Sequence, residues 1–118
     1  LASHYHTMNI PLKKVTIVAE RLLKEGLLKI LQEEGATGHT LTACEGEGSR
    51  GVHASDWEGR NIQIDTIASA DTAERILNRV GDQYMENYAV IAYLSEVSVL
   101  RRGKFARELM DDVTPEAE

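Results

Sequence analysis

The organisation of this chain depends on the stretch Glu45-Gly46-Glu47-Gly48-Ser49-Arg50-Gly51, the start of a glycine-rich connection that continues to Gly59. The flanking segments, residues 39–44 and 60–67, alternate polar and apolar residues with a period of two, which predicts two half-buried strands. A hairpin needs only about two to five residues between its strands, so this connection is too long for a simple reversal. It is typical of either a disordered segment or a ligand-binding loop.

The loop carries groups that suit an anionic ligand. Glycine amides can approach a ligand closely, and consecutive amides form a concavity that binds anions. Ser49 adds a hydroxyl donor, and Arg50 adds a planar guanidinium that can hold phosphate or carboxylate through two parallel hydrogen bonds. If the loop is a site, its residue types favour a phosphate or carboxylate ligand.

Composition sets the class of protein. The chain has 118 residues, 42% of them hydrophobic and 27% charged, as expected for one soluble globular domain. Its net charge of −6 argues against general binding to nucleic acid or anionic membranes, and 5% aromatic residues are too few for a base-stacking platform. The single cysteine, Cys44, is compatible with a reducing cytoplasm. No apolar run approaches the roughly 20 residues that span a bilayer.

The chain divides into three regions. We interpret the segment 1–8 as a vector remnant that leads into a native Met8, and we leave this segment out of the fold prediction. Residues 9–107 form the predicted domain. Residues 108–118 are acidic and are expected to be a flexible tail.

Periodicity predicts a βαββαβ order with a small extra strand, which is an α+β, ferredoxin-like fold. Gly35 is the expected terminator of the first helix, and Asp71 with Glu74 resembles a capping box at the start of the second. Gly81 either marks a close packing contact or is simply tolerated. In chain order, the predicted elements are a strand at 15–19, a helix at 22–34, strands at 39–44 and 60–67, a helix from 71, a strand at 88–94 and a short strand at 96–100.

The segment 88–94 is apolar on both faces, which predicts a central strand covered on both sides. Two helices can cover only one face of a sheet. The second face should therefore pack against another copy of the chain.

A family resemblance rests on four segments, which are Val15-Thr-Ile-Val18, Gly35-Ala-Thr-Gly-His-Thr40, Gly46-Glu-Gly-Ser-Arg50 and Asn87-Tyr-Ala-Val-Ile-Ala-Tyr93. In this order of elements, with a long loop between the second and third strands, the chain resembles the PII signal-transduction superfamily. The closer resemblance is to its PII-like branch of bicarbonate-transporter-associated and carboxysome-associated proteins.

The resemblance implies a cytoplasmic homotrimer that senses adenine nucleotides in clefts between subunits and is not an enzyme. It implies regulation of inorganic-carbon metabolism, with a bicarbonate transporter or a carboxysome-related protein as partner and bicarbonate as a further ligand. It implies no cofactor. The phosphates would contact Gly46, Gly48, Ser49 and Arg50, the adenine or ribose would contact Gly38 and Thr40, and the base would contact the main chain of Ala89, Val90 and Ile91. Arg101, Arg102 and Lys104 either form a solvated end or close over the phosphates from a neighbouring subunit.

Two departures from the family's pattern bear on the ligand. Glu47 and His53 stand where relatives in the transporter-associated branch often carry basic residues. Less positive charge favours ADP, AMP or cyclic AMP over ATP. The segment 81–88 lacks the glycine-rich, lysine-containing loop of the nitrogen sensors, which argues against sensing of 2-oxoglutarate and Mg-ATP.

Other functions remain open on the sequence. A trimeric metal-tolerance protein of the same architecture would need Cys44, His39 and His53 to converge. A nucleotide hydrolase would need carboxylates for Mg²⁺, for which the loop offers Glu45, Glu47 and Asp56. Asp65 is expected either to be buried and paired or to face water.

Overall fold

The structure, a computed structural model, describes residues 5–7, 11–46 and 61–102, with side chains described for 11–46 and 61–100. Its elements are β1 (Tyr5–Thr7), β2 (Leu12–Glu20), a 3₁₀ turn (Arg21–Leu23), α1 (Lys24–Glu33), β3 (Thr40–Cys44), β4 (Asn61–Ser69), α2 (Ala70–Tyr84), β5 (Val90–Val97) and β6 (Leu100–Arg102). The predicted α+β order is confirmed. No helix among these residues is long and apolar enough to cross a membrane.

Four antiparallel strands form the main sheet in the order β3-β4-β2-β5. The strand β2 lies in the middle and pairs with β4 along its whole length and with β5 from Leu12 to Ala19. This is the strand order of a ferredoxin-like sheet. In such a sheet, the two strands that a helix connects are not neighbours, because another strand lies between them.

Both helices pack on one face of this sheet, which we call the helix face. The apolar faces of the helices are buried there against alternate residues of the strands. The shared core comprises Val15, Ile17, Ala19, Leu23, Leu27, Ile30, Leu31, Ile62, Ile64, Ala73, Ile76 and Val80. The opposite face of the sheet, the open face, has no helix of this chain packed on it among the described residues.

The helix α1 ends in the predicted way at Gly35, which has a φ of +95°. The Gly35 amide donates to the Gln32 carbonyl at 3.2 Å, and the Ala36 amide donates to the Leu31 carbonyl at 2.9 Å. These two bonds form a Schellman motif, which satisfies the last carbonyls of the helix and needs a residue that tolerates positive φ.

The predicted start of the second helix is wrong by two residues. The cap is Ser69, whose hydroxyl accepts a hydrogen bond from the Thr72 amide at 3.2 Å. The strand β4 continues to Ser69, so the chain enters the helix before Asp71 is reached. Serine is as good an N-cap as aspartate, and Asp71 instead lies in the first turn, where its charge favours the positive end of the helix dipole.

The strand predicted to be central lies at an edge. β5 pairs with β2 alone among the described strands, and the side chains of Ile91 and Tyr93 on its open face are 54% and 49% exposed. Apolar residues on both faces indicate coverage of both faces, and within one chain only the helix face of β5 is covered by described residues. The apolar pattern indicates coverage, and it does not by itself indicate a central position.

The end of the chain also differs from the prediction. β5 continues to Val97, and the extra strand is β6, which starts at Leu100 and pairs with β1 in a separate two-stranded sheet. Residues 5–7, which the sequence analysis left out of the fold, thus contribute a strand. Their origin as vector residues stays a prediction.

Two helical glycines give a matched test of packing. Apart from its own helix, a β-carbon placed at Gly81 has no atom of the described residues within 4 Å, whereas one placed at Gly26 overlaps the Tyr84 hydroxyl and lies 3.3 Å from the Tyr84 Cζ. We expect Gly81→Ala to raise the free energy of unfolding by about 0.5–1 kcal/mol, because alanine favours a helix over glycine. Gly26→Ala should gain less or lose stability, because the Tyr84 ring must move away from α1.

Urea denaturation of both variants tests this expectation. Gly26→Ala should also be measured in a Tyr84→Phe background, where the overlapping hydroxyl is gone and the alanine should become less costly. Equal stabilisation by both alanines in the native background would contradict the close contact between Gly26 and Tyr84.

Candidate functional site

A depression of about 360 Å³ opens where the segment after α1 meets the strands β2, β3 and β4. It brings together Gly38 and Thr40, which the resemblance placed beside the adenine or ribose. Its lining comprises Lys14, Thr37, Gly38, His39, Thr40, Asp65, Thr66 and Ile67. Five of these residues were not predicted as site residues, namely Lys14, Thr37, Asp65, Thr66 and Ile67.

The segment that carries Gly38 is held at both ends. At one end, the Schellman motif reverses the chain after α1. At the other end, the buried Thr66 hydroxyl donates to the Gly38 carbonyl. Residues 37–39 also border a second depression of about 370 Å³, which lies toward the apolar side chains of α1. The backbone at Gly38 is therefore fixed by the fold before any ligand arrives.

Ion pairs between the helices reinforce this segment. Glu34, the residue before Gly35, accepts from Arg75 Nε at 3.0 Å and from Arg79 at 3.3 Å. Arg79 also donates to Glu33 at 2.8 Å, and this hydrogen bond raises the pKa of Arg79 above its usual value. The carboxylates at the end of α1 are thereby tied to α2, which fixes where the segment 35–39 begins.

A second network lies on the open face of the sheet. Thr16 Oγ1 donates to Asp65 Oδ1 at 2.7 Å, and Gln63 Nε2 donates to Asp65 Oδ2 at 3.1 Å. Thr16 is fully buried, and Asp65 is half-buried beside Thr40 in the β3–β4 register. Of the two expectations for Asp65, pairing is confirmed. Polar residues alternating with Val15 and Ile17 were the signal that could have indicated Lys14 and Thr16 as open-face residues.

The predicted base-binding segment, Ala89 to Ile91, lies at the other edge of the sheet. Three inter-strand spacings, roughly 14 Å, separate β5 from β3. Val90 pairs with Ala19 on β2, and the same row of paired residues continues across β4 to Ala43 on β3. Ala43 lies about 10 Å from Thr40 along β3. Within one chain, the two predicted nucleoside-binding sets are thus not brought together.

The Ala89 amide already has a partner. It donates to the Glu20 carboxylate at 3.3 Å, so it is engaged within the chain in this structure. Glu20 ends β2 and pairs with Asn61, which in turn pairs with Cys44 at the end of β3. The Ala89 segment therefore lies at the end of the sheet from which the glycine-rich loop leaves, whereas Gly38 lies toward the other end.

Only part of the predicted phosphate site falls within the described residues. Gly46 is exposed just beyond β3, and a β-carbon placed on it has no atom of the described residues, apart from its chain neighbours, within 4 Å. Arg101 and Arg102 lie in β6, where only the backbone is described. Gly48, Ser49, Arg50 and Lys104 lie outside the described residues.

The metal alternative concerns Cys44, His39 and His53. Among the side chains of residues 11–46 and 61–100, no three of His, Cys, Asp or Glu come close enough to share a metal ion. Cys44 is half-buried at the end of β3, and His39 lines the depression beside Gly38. His53, Glu47 and Asp56 lie outside the described residues.

Comparison with known proteins gives a consistent result. The model of the family described as nitrogen regulatory protein P-II matches residues 12–104. A solved PII-like signaling protein from Thermus thermophilus is 51% identical to this chain, with a TM-score of 0.66, and the match covers 76% of this chain and 90% of that one.

Two more distant structures share the fold. CPII from Thiomonas intermedia K12, a nitrogen regulatory PII-like protein bound to ADP, AMP and bicarbonate, is 21% identical, with a TM-score of 0.69 over 80% of this chain and 91% of that one. GlnK from B. subtilis is 18% identical, with a TM-score of 0.56 over 74% and 85%. At these identities the likeness bears on the fold alone.

Proposed function

Because this chain belongs to the nitrogen regulatory protein P-II family and is a PII-like signalling protein, we propose that it binds ADP or AMP between the subunits of a homotrimer. The observation that carries this proposal is the separation of the two sets of residues that are predicted to bind the nucleoside. Gly38 and Thr40 lie at one edge and Ala89 to Ile91 at the other. The linked base and ribose of one nucleotide can contact both sets when the sets come from different chains.

The two ends of the sheet suggest how the site is divided. Gly46 and the Ala89 segment share one end, and Gly38 with Thr40 lies toward the other. In our proposal, one subunit supplies the glycine-rich loop with Ser49 and Arg50, together with Ala89 to Ile91. A neighbouring subunit supplies the depression at Gly38. Arg101, Arg102 and Lys104 add positive charge near the phosphates.

The open face of β5 supports the association of subunits. Ile91 and Tyr93 leave about half of their side-chain surface in water, and they lie side by side on an edge strand whose outer backbone lacks a partner among the described residues. Burying such a face against another copy removes apolar surface from water and pairs or covers the strand edge.

The proposed ligand class is taken from a solved protein of the same fold. The Thiomonas intermedia protein was solved with ADP, AMP and bicarbonate bound. For the present chain, we extend this to ADP or AMP with bicarbonate as a further ligand, and to cyclic AMP and ATP as weaker candidates, since Glu47 and His53 reduce the positive charge of the loop. The protein acts as a cytoplasmic regulator of inorganic-carbon metabolism, not as an enzyme, through a bicarbonate transporter or a carboxysome-related partner.

The mechanism follows from the loop. A connection rich in glycine has many conformations when it is free, so fixing it is costly unless a ligand contributes contacts. Phosphate bound to Ser49 and Arg50 would order the loop and change the surface that residues 52–59 present to a partner protein. Such an order–disorder transition is a common way for small ligands to control protein contacts.

Calorimetric titration with AMP, ADP, ATP and cyclic AMP, each with and without bicarbonate, tests the ligand. ADP or AMP should give the strongest binding. The absence of heat and of a thermal shift with all four nucleotides would contradict nucleotide sensing.

Association has its own test in two matched variants. Light scattering should give a trimer for the native chain. Ile91→Glu should dissociate it, because the new charge would be buried at the interface, and should weaken nucleotide binding at least tenfold by separating the two halves of the site. Leu22→Glu, at a side chain that is similarly exposed (50%) but outside β5, should leave both properties unchanged. A native monomer, or an Ile91→Glu trimer, would contradict the shared site.

A further inference from the structure

Arg75 on α2 lines neither depression, yet it contacts the start of the segment that borders both of them. Residues 37–40 are four of the eight residues that line the depression at Gly38. The segment 35–39 packs little against the core, since Ala36 is half-buried there and its other four residues are exposed. The position of this segment therefore depends on the contacts at its two ends.

The guanidinium of Arg75 binds both the side chain and the backbone of Glu34. Its Nε donates to the Glu34 carboxylate at 3.0 Å, and its Nη2 donates to the Glu34 carbonyl at 3.4 Å. Carbonyls at the end of a helix have no partner within the helix, so this bond gives one of them a donor. One rigid fork thus holds the carboxylate and the peptide that leads into Gly35.

The guanidinium is itself held by α2, which continues directly from β4. Its Nη2 also donates to Thr72 Oγ1 at 3.1 Å, and Thr72 is only 4% exposed. The Thr72 amide in turn donates to the hydroxyl of Ser69, which ends β4 and caps α2. The same strand carries Thr66, whose hydroxyl donates to the Gly38 carbonyl. The continuous unit of β4 and α2 therefore holds both ends of the segment 34–38.

We propose that Arg75 is a positioning residue for the proposed nucleotide site, because it sets, through Glu34, where the backbone at Gly38 lies. The inference rests on the proposed function and deepens it. When only a fraction of the protein has the binding-competent arrangement, the apparent affinity falls in proportion to that fraction. Loss of the Arg75 contacts lets the segment after α1 take other positions, and every nucleotide then binds only the competent fraction.

The same contacts contribute little to the stability of the fold. The Arg75 side chain is 53% exposed, and ion pairs at exposed positions are weak because water and salt screen them. Replacing Arg75 should therefore change the thermal midpoint only slightly. Nucleotide affinity is the property that should respond, which separates a positioning role from a merely structural one.

Calorimetric titration of Arg75→Gln with AMP, ADP and ATP tests the proposal. We expect each nucleotide to bind about three- to tenfold more weakly than to the native protein. The factor should be the same for all three nucleotides, because the segment contacts the nucleoside that they share. A loss that increases with the number of phosphates would mean that the Arg75 charge acts on the phosphates directly, and it would overturn the positioning role.

Three further variants test whether Arg75 acts through Glu34. Arg75→Lys keeps the charge but lacks the fork, so it should recover only part of the affinity. Arg75→Gln should cost less affinity in a Glu34→Gln background than in the native background, and strictly additive losses would contradict the proposal. Lys29→Gln removes the same charge from a side chain on α1 that is 71% exposed, and it should bind as the native protein does.

Hydrogen exchange gives a readout that needs no nucleotide. The Ala36 amide donates to the Leu31 carbonyl at 2.9 Å, so its exchange rate reports whether the segment stays in place. Exchange at Ala36 should be faster in Arg75→Gln than in the native protein, while far-ultraviolet circular dichroism establishes that the fold is retained.

The failure of this inference can be told from the failure of the proposed function. If ADP binds the native protein and Arg75→Gln changes neither its affinity nor the exchange at Ala36, the role of Arg75 is wrong and the nucleotide site stands. If ADP does not bind the native protein, the proposed function fails together with this inference.

Discussion

Arg50→Ala is expected to weaken ADP binding about ten- to a hundredfold. Arg50 is the only Lys or Arg between Lys29 and Arg60, so it supplies the guanidinium of the glycine-rich loop. Charged hydrogen bonds contribute roughly 1.5–3 kcal/mol each, which corresponds to this range of affinity. Arg50→Lys should restore only part of the binding, because an ammonium cannot make the two parallel bonds of a guanidinium.

The control for this experiment is Lys29→Ala. Lys29 is an exposed cation on α1, 4.0 Å from Glu33, and removing it changes the net charge equally without touching the loop. The loss in Arg50→Ala should increase from AMP to ATP if the guanidinium reaches beyond the first phosphate. Unchanged affinity for all nucleotides would show that the loop is not the phosphate site. Arg101, Arg102 and Lys104 would then be the next residues to substitute.

The largest effect on stability is expected for Leu27→Ala. Leu27 is 0% exposed in the core between α1 and the sheet. Truncating a buried leucine removes burial and leaves a cavity, and it typically costs about 2–5 kcal/mol. A domain of this size has a total stability of about 5–15 kcal/mol, so the variant should lose a large part of it.

Leu22→Ala is the matched control for Leu27→Ala. Leu22 lies in the 3₁₀ turn just before α1 and is 50% exposed, so the same truncation should change the free energy of unfolding by no more than about 0.5 kcal/mol. Urea denaturation of the two variants at equal protein concentration gives the comparison. Similar losses in both would mean that α1 does not pack on the sheet as described.

Local patterns were enough to predict the two helices and the four strands of the main sheet. Leu27, Ile30 and Leu31 follow the period of a helix, and all are buried where that period places them. Gly35 ends α1 because positive φ is a local requirement that glycine meets. Such features depend on neighbours within a few residues, which the sequence shows directly.

The errors concern positions that distant residues decide. The place of β5 at an edge depends on its pairing with β2, more than 70 residues earlier, and no local pattern reports this. Ser69 displaced Asp71 as the cap because pairing with β2 extends β4 as far as Ser69. Serine and aspartate are both good N-caps by propensity, so the pairing of β4 with β2 determined which of Ser69 and Asp71 caps α2.

The candidate site was predictable only in part for the same reason. Gly38 and Thr40 were identified through the family resemblance, and they do line one depression. The sequence did not decide whether the Asp65 side chain is paired or exposed. Its contact with Thr16 joins two strands that are adjacent only in the folded sheet. Lys14 lies in the same cavity through the same pairing. Sequence periodicity predicts which side chains of a strand share one face of the sheet. The topology determines which residues of the other strands lie next to them.

The central position of β2 also affects how the chain can fold while it is being synthesised. β2 is the first strand of the main sheet to leave the ribosome, and one of its two edges must wait for β5, with Leu12 finally paired to Val97. At about 5–20 residues per second, the intervening chain takes several seconds to appear. During this interval β2 and β4 can pair, but the second edge of β2 stays open to other chains. Nascent polypeptides are therefore most exposed to aggregation just before β5 emerges.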